Sequence, residues 1–159
     1  MLVLAIEEVR LHLKKWGRDA DILEFEKSSA TVELAAEALN VDPARIAKTI
    51  CLRGKENPIL LVTAGDARID NAKFKKQFGL KARMLDADEV LAATGHVIGG
   101  VCPFGLPNKL PVYLDISLKR FTTIYPACGS SNSAIELTCS ELEEYAEAQA
   151  WVDVCRDWA

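Results

Sequence analysis

The most apolar run of the chain covers residues 58–64 and is seven residues long. A membrane-spanning helix needs about twenty apolar residues, so this run is too short to cross a bilayer. It has the length of a buried strand, and the turn-rich residues 54–58 join it to a second strand candidate at residues 48–53. We therefore predict paired strands, with residues 59–63 at the centre of a sheet.

The rest of the chain alternates helical and strand patterns, without repeats or linkers. Helical spacing predicts helices at residues 3–16 and 31–39, with a further turn after Asp42 and Pro43. Capping residues predict two more helices, from Asp70 to Gly79 and from Asp86 (with Glu89) to Gly95. Ser140 and Glu143 predict the start of a last helix that runs towards Ala150. Further strands are predicted at residues 21–26, 81–84, 96–101, 112–116, 122–127 and 134–138. Short turns join many of these strands, so we expect one α+β domain over residues 1–159, with a mixed, largely antiparallel sheet.

Composition limits the class of protein further. The chain has 159 residues, 50% of them hydrophobic and 26% charged, which excludes a disordered tail. The first residues carry no cationic lead or cleavage site, so the cytoplasm is the expected location and no membrane partner is expected. Five cysteines without a CxxC pair and two histidines without a neighbouring ligand predict neither a bound metal nor a cofactor.

Charge is unevenly distributed along the chain. The net charge of −4 argues against non-specific coating of nucleic acid. Residues 66–83 nevertheless hold six cations, among them Arg68, Lys73, Lys75 and Lys76, against two acids. Such a stretch fits a surface that binds a phosphate backbone, and it fits a solvated helix face equally well.

Lys48 is the first candidate for chemistry. In an extended strand it shares a face with Ile46, Ile50 and Leu52. Burying an ammonium without a partner is costly, so this lysine either reaches solvent at an edge or meets an anion in a cleft.

Residues 99–105, with the sequence GGVCPFG, form the second candidate. Glycines allow close approach of a ligand, and free N–H groups could bind an oxyanion or a carbonyl, although an ordinary turn has the same composition. Cys102 in this segment could act as a nucleophile, for which it needs a base, and the histidine nearest in sequence is His96.

These features resemble the YbaK-type aminoacyl-tRNA deacylases, the superfamily that includes the editing domain inserted in bacterial prolyl-tRNA synthetase. The similarity lies in GGVCPFG at residues 99–105, LPVYLD at 110–115, VDPARIAKTI at 41–50, FTTIYPACG at 121–129 and AIELT at 134–138. It extends in order from Ile6 to Val152, and the functional lysine of the family corresponds to Lys48.

The resemblance implies a mixed sheet, partly rolled into a barrel and flanked by helices. It also implies a free-standing enzyme that hydrolyses mischarged aminoacyl-tRNA, most readily Ala-tRNA for proline and next Cys- or Ser-charged tRNA. The expected partners are the aminoacylated end of tRNA and a synthetase, with the chain acting as a monomer or a homodimer.

Three groups of site residues follow from the resemblance and the charge pattern. The catalytic group is Lys48, Gly99, Gly100 and Pro103; the substrate-binding group is Thr31, Val101, Cys102, Phe104, Gly105, Asp115, Gly129 and Ser130; the tRNA-binding group is Arg68, Lys73, Lys75 and Lys76. Two alternatives stay open: a catalytically silent module that binds a tRNA end or a nucleotide, and a thiol-dependent enzyme that uses Cys102.

Overall fold

A five-stranded sheet organises the fold. The computed structural model describes residues 5–158. The strands of the chain are β1 (Leu23–Glu24), β2 (Ile46–Leu52), β3 (Ile59–Ala64), β4 (Arg68–Ile69), β5 (Val112–Asp115), β6 (Tyr125–Pro126), β7 (Ser133–Ala134), β8 (Ala150–Val152) and β9 (Cys155–Arg156). The central sheet has the order β6-β2-β3-β5-β8. Every residue of β3 is buried, which confirms the prediction of an apolar strand at the sheet centre.

The pairing of the strands is mixed. β2 and β3 form the longest ladder and run antiparallel, whereas β6 on β2, β5 on β3 and β8 on β5 are parallel. Two small sheets, β1 with β7 and β4 with β9, are antiparallel. The expectation of a mixed α+β fold is confirmed.

The described residues form five α-helices: α1 (Ala5–Lys14), α2 (Val32–Leu39), α3 (Asn71–Phe78), α4 (Ala87–Thr94) and α5 (Cys139–Tyr145). The capping predictions hold for two of them. The Asp70 side chain accepts from the amide of Lys73, and Asp86 forms a capping box with Glu89. Gly79 and Gly95 end these helices in the left-handed conformation, as their positions in the sequence predict.

One large cluster of buried side chains joins β3 to four of the helices, through residues such as Leu13, Phe74, Val90 and Leu142. The remaining helix, α2, packs separately through Ala35 and Ala36 on Ile46, the first residue of β2. Within residues 5–158, none of the helices has the length and apolar character needed to cross a bilayer.

Two predicted strands are wrong. Residues 81–84 make a single bridge, from Met84 to Leu52, because they only cross the end of β2. Residues 96–101 form a turn in which the amide of Gly100 donates to the carbonyl of Val97 (3.0 Å).

The start of the last helix also differs from the prediction. The capping box uses Thr138 and Glu141, two residues before the predicted pair. This register buries Leu142 and Tyr145. The helix ends at Tyr145, and Ala150 begins β8 instead of closing the helix.

Candidate functional site

A cavity lies where β2 changes its neighbour along one edge. β6 pairs with the first two residues of β2. Residues 83–85 cross the far end, where the amide of Leu85 donates to the carbonyl of Cys51 (3.1 Å) and the amide of Arg53 donates to the carbonyl of Arg83 (2.8 Å). Between these contacts, this edge of β2 pairs with no other strand in the described part of the chain. A cavity of about 250 Å³ opens at the gap.

The walls of the cavity are mostly apolar. They include the side chains of Val32, Ala35, Ile46, Ile50, Val90 and Val101. The polar residues of the wall are Ser29, Thr31, Lys48, Thr49, Tyr125 and Ser133. An apolar pocket with a few convergent polar groups is typical of a site for a small ligand or for one end of a larger one.

Lys48 is the cationic group of the wall and is half-buried. Its Nζ donates to the carbonyl oxygen of Ala67 (2.5 Å). Burial lowers the pKa of this lysine below its ordinary value of 10.5; nearby Cys155 and Asp66 oppose the shift, and Arg68 adds to it. Since an ammonium carries several donors, Nζ can keep its bond to Ala67 and still bind a ligand oxygen.

The first half of the glycine-rich segment also lines the cavity, through Gly99 and Val101. Gly99 has φ +99°, and a Cβ placed on it would lie 2.9 Å from the Cβ of Ala30. The neighbouring Gly100 is fixed in place because its carbonyl accepts from the amide of Gly129 (3.0 Å). The amides of Gly99 and Val101 donate to no acceptor within residues 5–158. The cavity wall thus includes two residues whose amides have no acceptor in that part of the chain.

The second half of the segment packs into the core. Cys102, Pro103 and Phe104 are buried, and none of them lines the cavity. Gly105 has φ +64°, and a Cβ on it would lie 2.8 Å from the backbone carbon of Glu8 in α1. Its amide donates to Nδ1 of His12 (3.1 Å), which ties the segment to the same helix.

Cys102 and His96 are in contact, but they do not form a nucleophile and a base. His96 Nε2 lies 2.7 Å from the carbonyl oxygen of Phe104 and 3.5 Å from Cys102 Sγ. A carbonyl only accepts, so Nε2 carries the proton and has no lone pair for the thiol. Burial raises the pKa of the Cys102 thiol to about 12. A thiol-dependent enzyme needs a thiolate in an accessible place, so the geometry disfavours that alternative.

Thr31 and Ser130 are both predicted to bind substrate, but only Thr31 lines the cavity. Thr31 lines the cavity, where its hydroxyl accepts from the amide of Leu34 (3.1 Å) and caps α2. Ser130 lies behind the wall, where its hydroxyl donates to that of Ser133 (2.6 Å). Thr31 therefore fixes the helix that borders the cavity.

Asp115 and Gly129 lie outside the cavity wall. Asp115 is buried and accepts from the amides of Ser117 (3.0 Å) and Val154 (2.9 Å), so it fastens the C-terminal segment to β5. Gly129 has φ +92°, and its amide holds the carbonyl of Gly100. Both residues support the fold around the cavity.

The basic stretch begins beside Lys48 and continues onto α3. Arg68 in β4 is exposed and close enough to lower the pKa of Lys48. Lys73 Nζ lies 3.1 Å from the Asp153 carboxylate, which neutralises part of its charge. Lys75 and Lys76 are exposed and belong to no ion pair among the described residues. These two lysines are thus the cations of α3 that are available to a phosphate.

Sequence reasoning missed Thr49 and two residues at the rim of the cavity. The Thr49 hydroxyl is buried in the wall and has no hydrogen-bond partner in the described part of the chain. Met84 and Ile98 line the cavity with 67% and 62% of their surface exposed. The available signal is that Thr49 follows Lys48 directly; alternation puts the two side chains on opposite faces of β2, and both residues still line the cavity.

Comparison with known proteins agrees with the geometry. The uncharacterized protein YwhH of Bacillus subtilis (strain 168) is 57% identical over 156 residues, which are 98% of this chain and 99% of that protein. EbsC of Enterococcus faecalis, named as a candidate Cys-tRNA(Pro)/Cys-tRNA(Cys) deacylase, is 32% identical over 109 residues, 67% of this chain and 66% of that protein. A crystal structure described as a candidate trans-editing enzyme for prolyl-tRNA synthetase superposes with a TM-score of 0.87 at 28% identity, over 98% of this chain and 99% of that chain.

The family comparison covers the site directly. The model of the aminoacyl-tRNA editing domain matches residues 26–145, which include Lys48, the edge of β2 and the whole glycine-rich segment. The resemblance stated from the sequence is thereby confirmed. With three quarters of its length matched, and with the cavity inside the matched region, the chain belongs to the family of aminoacyl-tRNA editing domains.

Proposed function

We propose that this chain is a trans-editing hydrolase that cleaves the ester bond between a wrongly attached amino acid and its tRNA. The substrate we propose first is alanine on the tRNA for proline, followed by cysteine or serine on the same tRNA. Membership of the editing-domain family supports the reaction. The relative named for Cys-tRNA deacylation and the similar structure named for prolyl-tRNA synthetase support the choice of tRNA.

One observation carries the proposal: a single cavity brings together Lys48 and the free amides of Gly99 and Val101. An aminoacyl ester is already activated, so a placed water and a stabilised oxyanion are sufficient for its hydrolysis. In the proposed arrangement the two amides hold the ester carbonyl, and Lys48 binds the terminal nucleotide. Gly100 and Pro103 shape the segment that presents the amides.

Selectivity would come from the size of the cavity. Val32, Ala35, Val90 and Val101 are apolar residues in the wall of the cavity that Gly99 also lines. A small side chain fits such a space, whereas the bulkier ring of proline would meet the walls before the ester reaches the amides. Cognate Pro-tRNA would then escape hydrolysis.

The acceptor stem of the tRNA would lie along the basic stretch, with Arg68 next to Lys48 and with Lys73, Lys75 and Lys76 on α3. Exposed cations that neutralise phosphates make binding sensitive to salt. Changing Lys75 and Lys76 to Glu should weaken tRNA binding and flatten its salt dependence, whereas Lys14→Glu at the end of α1 should not. Equal affinity of the doubly substituted protein and the wild type at fixed salt would contradict this placement.

Single-turnover deacylation tests the activity itself. The substrates are Ala-, Cys-, Ser- and Pro-charged tRNA for proline, with wild type, Lys48→Ala and the surface control Lys109→Ala. We expect rapid loss of at least one non-cognate ester, sparing of Pro-tRNA, a Lys48→Ala variant slowed at least about a hundredfold, and an unaffected control.

The alternatives make different predictions in the same assay. A silent binding module would retain tRNA without hydrolysing any ester above the buffer rate. Full activity of Lys48→Ala would remove the role proposed for that lysine.

A further inference from the structure

The open edge of β2 is centred on Thr49. The amide of Arg53 and the carbonyl of Cys51 point away from β3, since both bond to residues 83–85. Backbone groups alternate along a strand, so the amide and carbonyl of Thr49 point the same way. They fall in the gap between β6 and residues 83–85, where β2 has no strand partner among the described residues. The backbone of Thr49 therefore faces the cavity.

The side chain of Thr49 adds a second unsatisfied group on the same residue. Its Oγ1 is buried and has no hydrogen-bond partner among residues 5–158. Leaving a buried hydroxyl without a partner costs stability, and a bond to a ligand would recover that cost. Thr49, a residue of the cavity wall, thus carries two acceptors without a partner among the described residues, its hydroxyl and its carbonyl.

The polar groups of the cavity divide into donors and acceptors. The amides of Gly99 and Val101 and the ammonium of Lys48 are donors, which suit the ester carbonyl and the nucleotide. An aminoacyl ester also carries an α-ammonium group, which can only donate and therefore needs acceptors. The acceptors of Thr49 lie in the wall that also contains those donors.

We propose that Thr49 binds the α-ammonium group of the aminoacyl ester through its hydroxyl and its outward carbonyl. This inference rests on the proposed deacylase function and adds to it a recognition element for the part of the substrate that every amino acid shares. Hydrogen bonds to a charged group are stronger than neutral ones. Thr49 would thereby orient the ester so that its carbonyl meets the two amides.

The experiment combines a change in the protein with a change in the substrate. Thr49→Val removes the hydroxyl at nearly constant shape, and Thr49→Ser keeps it. Each variant and the wild type are given the ester that the wild type hydrolyses fastest, and its α-hydroxy acid counterpart, such as lactyl-tRNA for alanyl-tRNA. Each kcat/KM is divided by the buffer hydrolysis rate of the same ester, because the ammonium itself activates the bond.

We expect the corrected kcat/KM of the wild type to be about ten- to hundredfold lower on the α-hydroxy ester than on the aminoacyl ester. The kcat/KM of Thr49→Val should fall by a similar factor on the aminoacyl ester. On the α-hydroxy ester, the kcat/KM of Thr49→Val should be close to that of the wild type. Thr49→Ser should stay close to the wild type on both esters. The melting temperature of Thr49→Val should equal or exceed that of the wild type, because an unsatisfied buried hydroxyl has been removed.

Three results would overturn the inference. Thr49→Val could match the wild type on both esters, or it could lose the same factor on both, which indicates a purely structural role. In the third, the wild type hydrolyses neither ester nor any other in the panel, and the proposed function then fails together with this inference.

Discussion

The two halves of the segment 99–105 differ in what they contact. Gly99 and Val101 line the cavity and leave their amides free. Phe104 and Gly105 pack against the core and α1, and Gly105 bonds to His12 of that helix. Glycines in one motif can thus serve different purposes: the first lies against Ala30 in the cavity wall, and the last allows α1 to approach. A continuous motif in the sequence does not mean a continuous binding surface.

The largest expected effect on stability is in the half of the segment that packs into the core, residues 102–105. Phe104 is completely buried, so Phe104→Ala should lower the free energy of unfolding by about 3–5 kcal/mol. Hydrolysis by the protein that remains folded at low temperature should stay close to the wild type. Urea unfolding with parallel rate measurements tests both statements, and a stable but inactive Phe104→Ala would remove the distinction between the halves.

Gly99→Ala changes the half of the segment that lines the cavity, residues 99–101, and should reduce activity more than stability. The positive φ and the contact with Ala30 would cost about 1–3 kcal/mol and shift the free amides. We expect deacylation to fall at least about tenfold. Gly17→Ala is the matched control, because Gly17 also has a positive φ (+70°) but no atom within 4 Å of the added Cβ. Equal activity of the two variants would contradict the prediction.

Val101→Ala should change selectivity. It widens the cavity next to the amides, so hydrolysis of Pro-tRNA should rise relative to Ala-tRNA by about tenfold. Val97→Ala, at an exposed position outside the cavity wall, should leave the ratio unchanged. Competition between the two esters measures the ratio directly, and an unchanged ratio in Val101→Ala would show that the cavity does not select by size.

Cys102→Ser should have the smallest effect. The thiol is buried, does not line the cavity and makes only a long contact with the carbonyl of Phe104 (3.8 Å), so we expect a loss of about 1 kcal/mol in stability. The rate of deacylation should not change. A much lower deacylation rate of Cys102→Ser than of the wild type would support the thiol-dependent alternative.

Local signals predicted much of the fold. Asp70 with Gly79, and Asp86 with Glu89 and Gly95, define helix ends within a few residues, so α3 and α4 follow from the sequence. The start of α5 is ambiguous because two capping patterns overlap there, and burial of the helix face selects the earlier one. Strand partners are not local, so residues 81–84 could not be distinguished from a paired strand.

Family motifs mark some of the residues that line the cavity. The sequence predicts Lys48, Gly99 and Val101 as candidate site residues, and all three line one cavity. Thr49 could not be found in the same way, because its unsatisfied hydroxyl depends on where β6 ends and residues 83–85 begin. The sequence also does not show that residues 102–105 pack into the core, because their partner His12 in α1 is distant in the sequence.

The gap beside β2 has a consequence for amide hydrogen exchange. The amides of Lys48 and Ile50 face β3 inside the longest ladder of the sheet and should exchange slowly. The amide of Thr49 lies between them in sequence and opens into the cavity, so it should exchange as fast as an amide in a loop. A slowed exchange at this one position, when a non-hydrolysable aminoacyl-adenosine is added, would report occupancy of the cavity without any chemical step.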